Sequence, residues 1–319
     1  MVPISYRRSS QFLISIARRL FESLLTAWAA VTFTFLALRM SAGDPVGVLL
    51  SRGLASPADA DALRIQLGLN RPLATQYVDF LSGLPGGDLG QSLYTSRPVA
   101  DIILEQLPYT LALAGLALVI TLVLSVFLGI GAAWWQRKPV GRMLQSVSGT
   151  AIALPVIFVG TLVLWAFRAI VTSGFLHLPP TGFQLFIPAL VLGFSNSGGI
   201  AWTLQAGIQE NMQAPFFLAA RARGVRNGLP LLWHALKPAL PPAVSLFALE
   251  ASFLFTGTVV TETIFARPGL GRLLVQSILD GDFPVAQGLV VVAAFVYTVS
   301  LGLADICSYF LDPRIGREV

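Results

Sequence analysis

Six stretches of this chain are each long and apolar enough to cross a bilayer: Leu20–Leu38, Tyr109–Trp135, Leu144–Val171, Leu185–Ile208, Ala243–Ile264 and Val285–Tyr309. Hydrocarbon offers no partners for free backbone amides, so a span of ~30 Å must satisfy its own hydrogen bonds, which ~20 residues do as a helix. The fold class is therefore all-α integral membrane, with six transmembrane helices. Composition agrees, since only 12% of residues are charged, about half the fraction in a soluble domain. Pro155 in the third stretch and Ser195-Asn196-Ser197-Gly198-Gly199 in the fourth interrupt the apolar runs and predict local kinks there.

Arginine and lysine set the orientation, and an even number of spans puts both termini on one side. Arg7, Arg8, Arg18 and Arg19 precede the first span; Arg137, Lys138 and Arg142 follow the second; Arg221, Arg223, Arg226 and Lys237 follow the fourth; Arg314 and Arg317 end the chain. The opposite loops carry fewer basic residues (Arg39, Arg52, Arg64, Arg71, Arg97, Arg267 and Arg272), mixed with acids. Both termini are thus expected in the cytoplasm, with 43–107 outside. The net charge of +5 follows from topology, and no nucleic-acid partner is expected. The first span reads as an uncleaved anchor, because the apolar run after Arg18-Arg19 continues past Ala27-Trp28-Ala29 to Leu38. Cys307 is the single cysteine, which excludes an internal disulfide.

Several chemistries are excluded by missing residue types. The only lysines, Lys138 and Lys237, lie outside any Gly-x-x-x-x-Gly-Lys-Ser/Thr loop, so the chain is expected neither to hydrolyse ATP nor to hold a cofactor. His177 and His234 fall in loops on opposite sides of the membrane, where they cannot share a metal ion. Ser195 lacks a histidine at membrane depth to activate it, which removes an intramembrane hydrolase.

The outer region has its own order. Ser56-Pro57, with Asp59 and Asp61 in the first turn and Gly68 beyond the end, predicts one short helix. A second is expected from Pro72 to about Ser82, with Leu73, Tyr77, Phe80 and Leu81 on one face. That face can form a lid packed on the span ends, a docking surface for an external protein, or both.

Ionisable residues inside the spans are few. Glu22 stands four residues after Arg18 and Asp305 lies near the inner face, so local partners account for both. Glu250 sits about two turns into the fifth span with no neighbouring charge. A carboxylate there costs a few kcal/mol unless it is relieved. It can line a translocation path together with Ser252 or Thr256, join subunits, or be a protonated passenger.

Short signatures recur along the chain: Gly43-Asp44-Pro45, Leu67-Gly68-Leu69-Asn70-Arg71-Pro72-Leu73, Gly87-Asp88-Leu89-Gly90-Gln91-Ser92, Glu262-Thr263-Ile264-Phe265, Pro268-Gly269-Leu270-Gly271, Asp282-Phe283-Pro284 and Asp312-Pro313-Arg314. In that order, interleaved with six spans, the sequence resembles the B-type permease subunit of dipeptide, oligopeptide and nickel ABC importers. The basic, proline-rich loop 213–242 then matches the element that enters a cleft on a nucleotide-binding subunit. Such permeases carry Glu-Ala-Ala, three residues, Gly, nine residues, Ile, one residue and Leu-Pro. Here Leu218 takes the Glu position, Ala219 and Ala220 the two Ala, Gly224 the Gly, His234 the Ile, Leu236 the Leu and Lys237 the Pro. The resemblance implies that Leu218, Ala219, Ala220, Arg221, Ala222, Arg223 and Gly224 form an ATPase-coupling helix, while Arg221 and Arg223 also suit a topology role. Related chains carry basic residues where this one has Trp202 and Gln205.

By the same resemblance the fold is that of a type I ABC importer permease. It comprises an N-terminal tail, first helix and extracytoplasmic lid (1–107), a five-helix core (108–309) and a cytoplasmic tail (310–319). Implied partners are a homologous second permease subunit, two ABC ATPase subunits that use the ATP, an extracytoplasmic solute-binding protein and the lipid bilayer. The implied function is import of peptides or a related solute, nickel or a metal chelate included, across the bacterial inner membrane by alternating access. The alternative is a self-contained channel or secondary transporter.

Overall fold

The computed structural model describes residues 4–41, 45–51, 53, 56–66, 68–172, 180–225 and 228–311. They form helices joined by short connections: α1 (Ile4–Ser41), α2 (Pro45–Ser51), α3 (Pro57–Gln66), α4 (Leu73–Gly83), α5 (Val99–Trp134), α6 (Pro139–Ala153), α7 (Val156–Thr172), α8 (Pro180–Gln213), α9 (Pro215–Ala222), α10 (Leu229–Ile264), α11 (Leu270–Asp280) and α12 (Phe283–Leu311). Among the described residues the extended pairing is one isolated bridge, Gln91 with Pro98. Four helices are long and apolar enough to span a membrane, and counting each of two bent pairs as one span gives six.

The bend expected at Pro155 is present, with α6 and α7 meeting at 108°. Proline cannot donate to the i−4 carbonyl and restricts the residue before it, and Leu154 is accordingly extended (φ −92, ψ 123). The interruption expected at Ser195–Gly199 is absent: α8 runs unbroken through it. Those small residues serve close packing instead. A Cβ on Gly198 would stand 2.7 Å from the Ser148 carbonyl oxygen on α6, and the Ser197 hydroxyl donates back to the Phe194 carbonyl. Nor does 213–242 form one long loop. Its second half is already helical, since α10 starts at Leu229 and carries Pro238, Pro241 and Pro242 inside it.

The residues divide into two compact units, one built mainly on Leu111–Arg267 and the other on Arg19–Thr110 with Pro268–Thr298. In the first, small residues let helices approach closely, as membrane helices do where lipid supplies no hydrophobic drive. A Cβ on Gly129 would lie 2.8 Å from the Ala201 carbonyl oxygen, one on Gly193 2.7 Å from Ile120, and one on Gly207 3.0 Å from the Ala239 side chain. In the second unit, α4 packs on the end of α1. Phe35 is fully buried, with the rings of Tyr77 and Phe80 at 5.3 and 5.8 Å and the Arg39 guanidinium 4.5 Å over its face. Arg39 also donates to Gln76. Short helices α2 and α11 are both additions to what the sequence suggested.

Candidate functional site

The residues after α8 fold into α9 because Pro215 supplies a preset φ at its first turn and Ala214 is extended before it. The helix closes on Gly224, whose φ of +83 is left-handed. Gly224 donates to the Arg221 carbonyl, and Val225 reaches back to that of Ala220. These bonds satisfy carbonyls that the helix end would leave open, in a turn that favours glycine. Among the described residues, chain neighbours aside, no atom lies within 4 Å of where a Cβ on Gly224 would stand.

One side chain anchors the helix. Phe217 is buried in a cluster with Ala133, Ile200, Leu204, Ile208, Leu232, Ala235, Ala239 and Ala243. At about 100° per residue, Ala219 and Ala222 fall opposite Phe217, and both are exposed. Leu218 and Phe216 flank them, 53% and 47% exposed. Ala220 is half-buried, whereas Arg221, Arg223 and Gly224 are exposed. Ala219 and Ala222 thus lie on the exposed side of α9, and Ala220 is turned partly inward. His234 and Lys237 are exposed on the first turns of α10, and Leu236 packs against the Phe217 cluster.

Of the path residues, Glu250 and Ser252 sit on different sides of α10. Glu250 is half-buried on α10. Two positions on, and about 200° around the helix, Ser252 is 1% exposed and its hydroxyl donates to the Ala248 carbonyl. The Thr256 side chain lies outside the described residues, as do those of Asp305, Cys307 and His177. Sequence reasoning passed over a second carboxylate on α10: Glu262 is 0% exposed. Its place inside the fifth apolar stretch, Ala243–Ile264, is the signal for it. On α8, Gln205 is buried with its Oε1 unbonded among the described residues, while Trp202 is exposed.

Of the lid residues, Tyr77 shares a 2.6 Å hydrogen bond with the Thr32 hydroxyl, and Phe80 and Leu81 are half-buried. Beyond α4 two signatures meet. Ser92 donates to Asp282 at 2.6 Å, the Leu93 amide reaches the other carboxylate oxygen at 3.2 Å, and Tyr94 donates to the Asp280 carbonyl. Asp282 precedes α12 and also accepts from the Val285 amide, the geometry of an N-cap. Burial pushes its carboxyl above the usual carboxylate range, opposed in part by those three bonds. A Cβ on Gly288 would lie 2.6 Å from Val99, which shows how tightly α12 is seated there.

No group of His, Cys, Asp and Glu suited to a metal ion occurs among the described residues. What the chain offers is an anchored short helix with a bare outward face, carried between membrane helices, and a hydrogen-bonded closure built around Asp282.

Residues 125–317 match the family described as binding-protein-dependent transport system inner membrane component. Residues 11–114 match the N-terminal region of such membrane components. The chain is 32% identical to the "Probable D,D-dipeptide transport system permease protein" of Escherichia coli (strain K12), over 94% of this chain and 96% of that one. It is 29% identical to the "Probable peptide ABC transporter permease protein" of Sinorhizobium fredii, over 95% and 99%. With the "Nickel import system permease protein" of Staphylococcus aureus (strain USA300) it shares 30% identity over 94% and 91%. With both its parts matched and relatives similar over nearly their whole length, the chain belongs to the family of binding-protein-dependent transport system inner membrane components, the permease subunits of ABC importers.

Proposed function

We propose that this permease imports peptides or a chemically related solute, a metal chelate included, and that separate ATPase subunits drive it through α9. The observation that carries the coupling role is the outward face of α9: Phe217 is the helix's one buried side chain, and Ala219 and Ala222 are exposed on the opposite side. A helix without bulk can enter a cleft closely. The left-handed glycine at its end returns the chain to α10 within a few residues. The substrate class rests on the names of the relatives, two peptide permeases and one nickel permease.

In the cycle that follows from this reading, an extracytoplasmic binding protein delivers solute on the side of the 43–107 region. Closure of two ATPase subunits displaces α9 and its counterpart on a second, homologous permease chain, and the path reorients inward. Both termini face the cytoplasm, by the arginine distribution. Glu250 lines the path or a subunit contact, since a half-buried membrane carboxylate persists only with water, a partner or a proton.

The test is uptake into proteoliposomes holding this chain with a second permease chain, the ATPase subunits and the binding protein. Uptake of a labelled dipeptide should require internal-side ATP and the binding protein. Equal uptake by this chain alone without ATP would favour the channel or secondary transporter.

A further inference from the structure

Helices α8 and α10 pack antiparallel, and their contacts fix which residues stand level. The Asn211 amide donates to the Ala235 carbonyl at 3.0 Å. A Cβ on Gly207 would lie 3.0 Å from the Ala239 side chain, and one on Gly199 3.9 Å from Leu246. Leu192 and Leu254 belong to one buried cluster. Each step back along α8 is thus matched by a step forward along α10, which sets Asn196 level with Glu250. At about 100° per residue, Glu250 falls within the α10 stripe that carries Ala239, Leu246 and Leu254, and Asn196 within the α8 stripe that carries Leu192 and Gly207. The two occupy facing stripes, near the middle of the span Gln184–Gln213 and of the bent span that runs from Leu232 to Ile264.

Both residues are half-buried rather than sealed. Beside Asn196, the Ser195 Oγ is buried without a hydrogen-bond partner among the described residues. Helix α8 holds no Lys, Arg or His, and Lys237 lies more than three turns before Glu250 on α10. The arginines of the helices packed beside them, Arg142 on α6 and Arg168 on α7, are exposed. A carboxylate at this depth is costly unless something relieves it, and neither facing stripe brings it a cation.

We propose that Glu250, with Asn196 and Ser195 beside it, forms a mid-membrane station that holds the cationic end of the transported solute, a protonated amine. This rests on the import reading above and names the chemistry that the path selects. The Glu250 carboxylate accepts a charge-assisted hydrogen bond, about twice as strong as a neutral one, and the Asn196 amide oxygen can accept another. A solute carboxylate at the same place would meet like charge in a low dielectric, so the station discriminates by penalty as well as attraction.

The experiment follows modification of Asn196→Cys, in a Cys307→Ser background within the assembled complex, by cationic and anionic methanethiosulfonate reagents, read on this chain by mass. Both reagents should react, the cationic one faster. Adding Glu250→Gln should slow the cationic reagent about threefold and speed the anionic one by a similar factor, because one nearby charge is gone. Ser252→Cys, on the buried opposite side of α10, should stay unreactive. An excess of a dipeptide with a free amino group should protect Asn196→Cys, whereas the same dipeptide N-acetylated should not. If Asn196→Cys impairs assembly, Thr203→Cys, two turns along the same half-buried face, gives the same comparison. A cysteine that reacts with neither reagent would make the pair a sealed helix contact and overturn the proposal. Rates indifferent to Glu250→Gln, or protection that is absent or equal for the two dipeptides, would overturn it too. These rates require no uptake, so they fail separately from the import reading, which falls if uptake dependent on ATP and the binding protein is absent.

Discussion

The Asp282 closure and α9 both lie on signatures of the family, yet they use their residues in opposite ways. At Asp282 the chain completes itself: Ser92, Leu93 and Val285 fill the carboxylate, and Gly288 lets Val99 approach. At α9 Phe217 is the one buried side chain and Ala220 is half-buried, whereas Leu218, Ala219, Arg221, Ala222, Arg223 and Gly224 are exposed. The difference teaches that a short signature can record either an internal contact or a demand made by another protein. Substitutions at the first should cost folding; at the second they should cost function in a chain that still folds.

The sharpest way to break that contrast is accessibility, an all-or-none readout. In a Cys307→Ser background, Ser56→Cys should react with an impermeant maleimide from outside intact cells, whereas Arg221→Cys should react only after lysis. The reverse pattern would invert the topology.

Folding effects come next. Asp282→Ala strands three donors around a buried site and should cost about 3 kcal/mol. Gly288→Leu drives a side chain into Val99 at a similar cost of ~3 kcal/mol. Both should appear as reduced recovery and lower thermal stability in detergent, with Arg223→Ala as an unaffected comparison from the α9 region. Full stability of Asp282→Ala would make the closure ornamental.

A smaller effect is a pH dependence. The folded Asp282 carboxyl titrates above its usual value because it is buried, so the fold binds a proton that the unfolded chain releases. Its contribution is present at acid pH and is lost as pH rises from the unfolded value through the raised folded one. Asp282→Asn should therefore flatten the decline in thermal stability between those two values. An unchanged profile would assign the decline to other groups.

The smallest expected change is at Glu250. Glu250→Gln should leave complex recovery intact and alter uptake or its pH dependence, whereas reduced recovery of Glu250→Ala would instead indicate a subunit contact. Normal assembly and uptake in both variants would remove Glu250 from either role.

Much of this architecture was legible in the sequence because apolar length and helix-end chemistry are local signals. The helices starting at Pro57 and Leu73 were marked by Ser56-Pro57 and by the Tyr77–Phe80 face. What failed was composition taken as a guide to breaks. Pro238, Pro241 and Pro242 suggested a loop, yet they sit within α10, each removing a donor without ending the helix. Ser195–Gly199 suggested a kink, yet its small residues let α6 reach α8. Which side of α9 faces inward depended on the burial of Phe217 in a cluster drawn from α5, α8 and α10, which no local pattern encodes. The Ser92–Asp282 bond joins residues 190 positions apart; the two motifs were visible, but their contact was not.

The most direct test of the coupling role compares Gly224→Ala with Gly224→Trp in the reconstituted complex, measuring ATP hydrolysis and solute uptake together. Both carry the strain of a left-handed residue, about 1 kcal/mol, but only tryptophan adds bulk where this chain leaves space. Gly224→Ala should keep most of its uptake. Gly224→Trp should lose about tenfold or more, a docking penalty of ~1.4 kcal/mol, while expression holds and hydrolysis no longer tracks uptake. Unchanged uptake in Gly224→Trp would remove α9 from the mechanism.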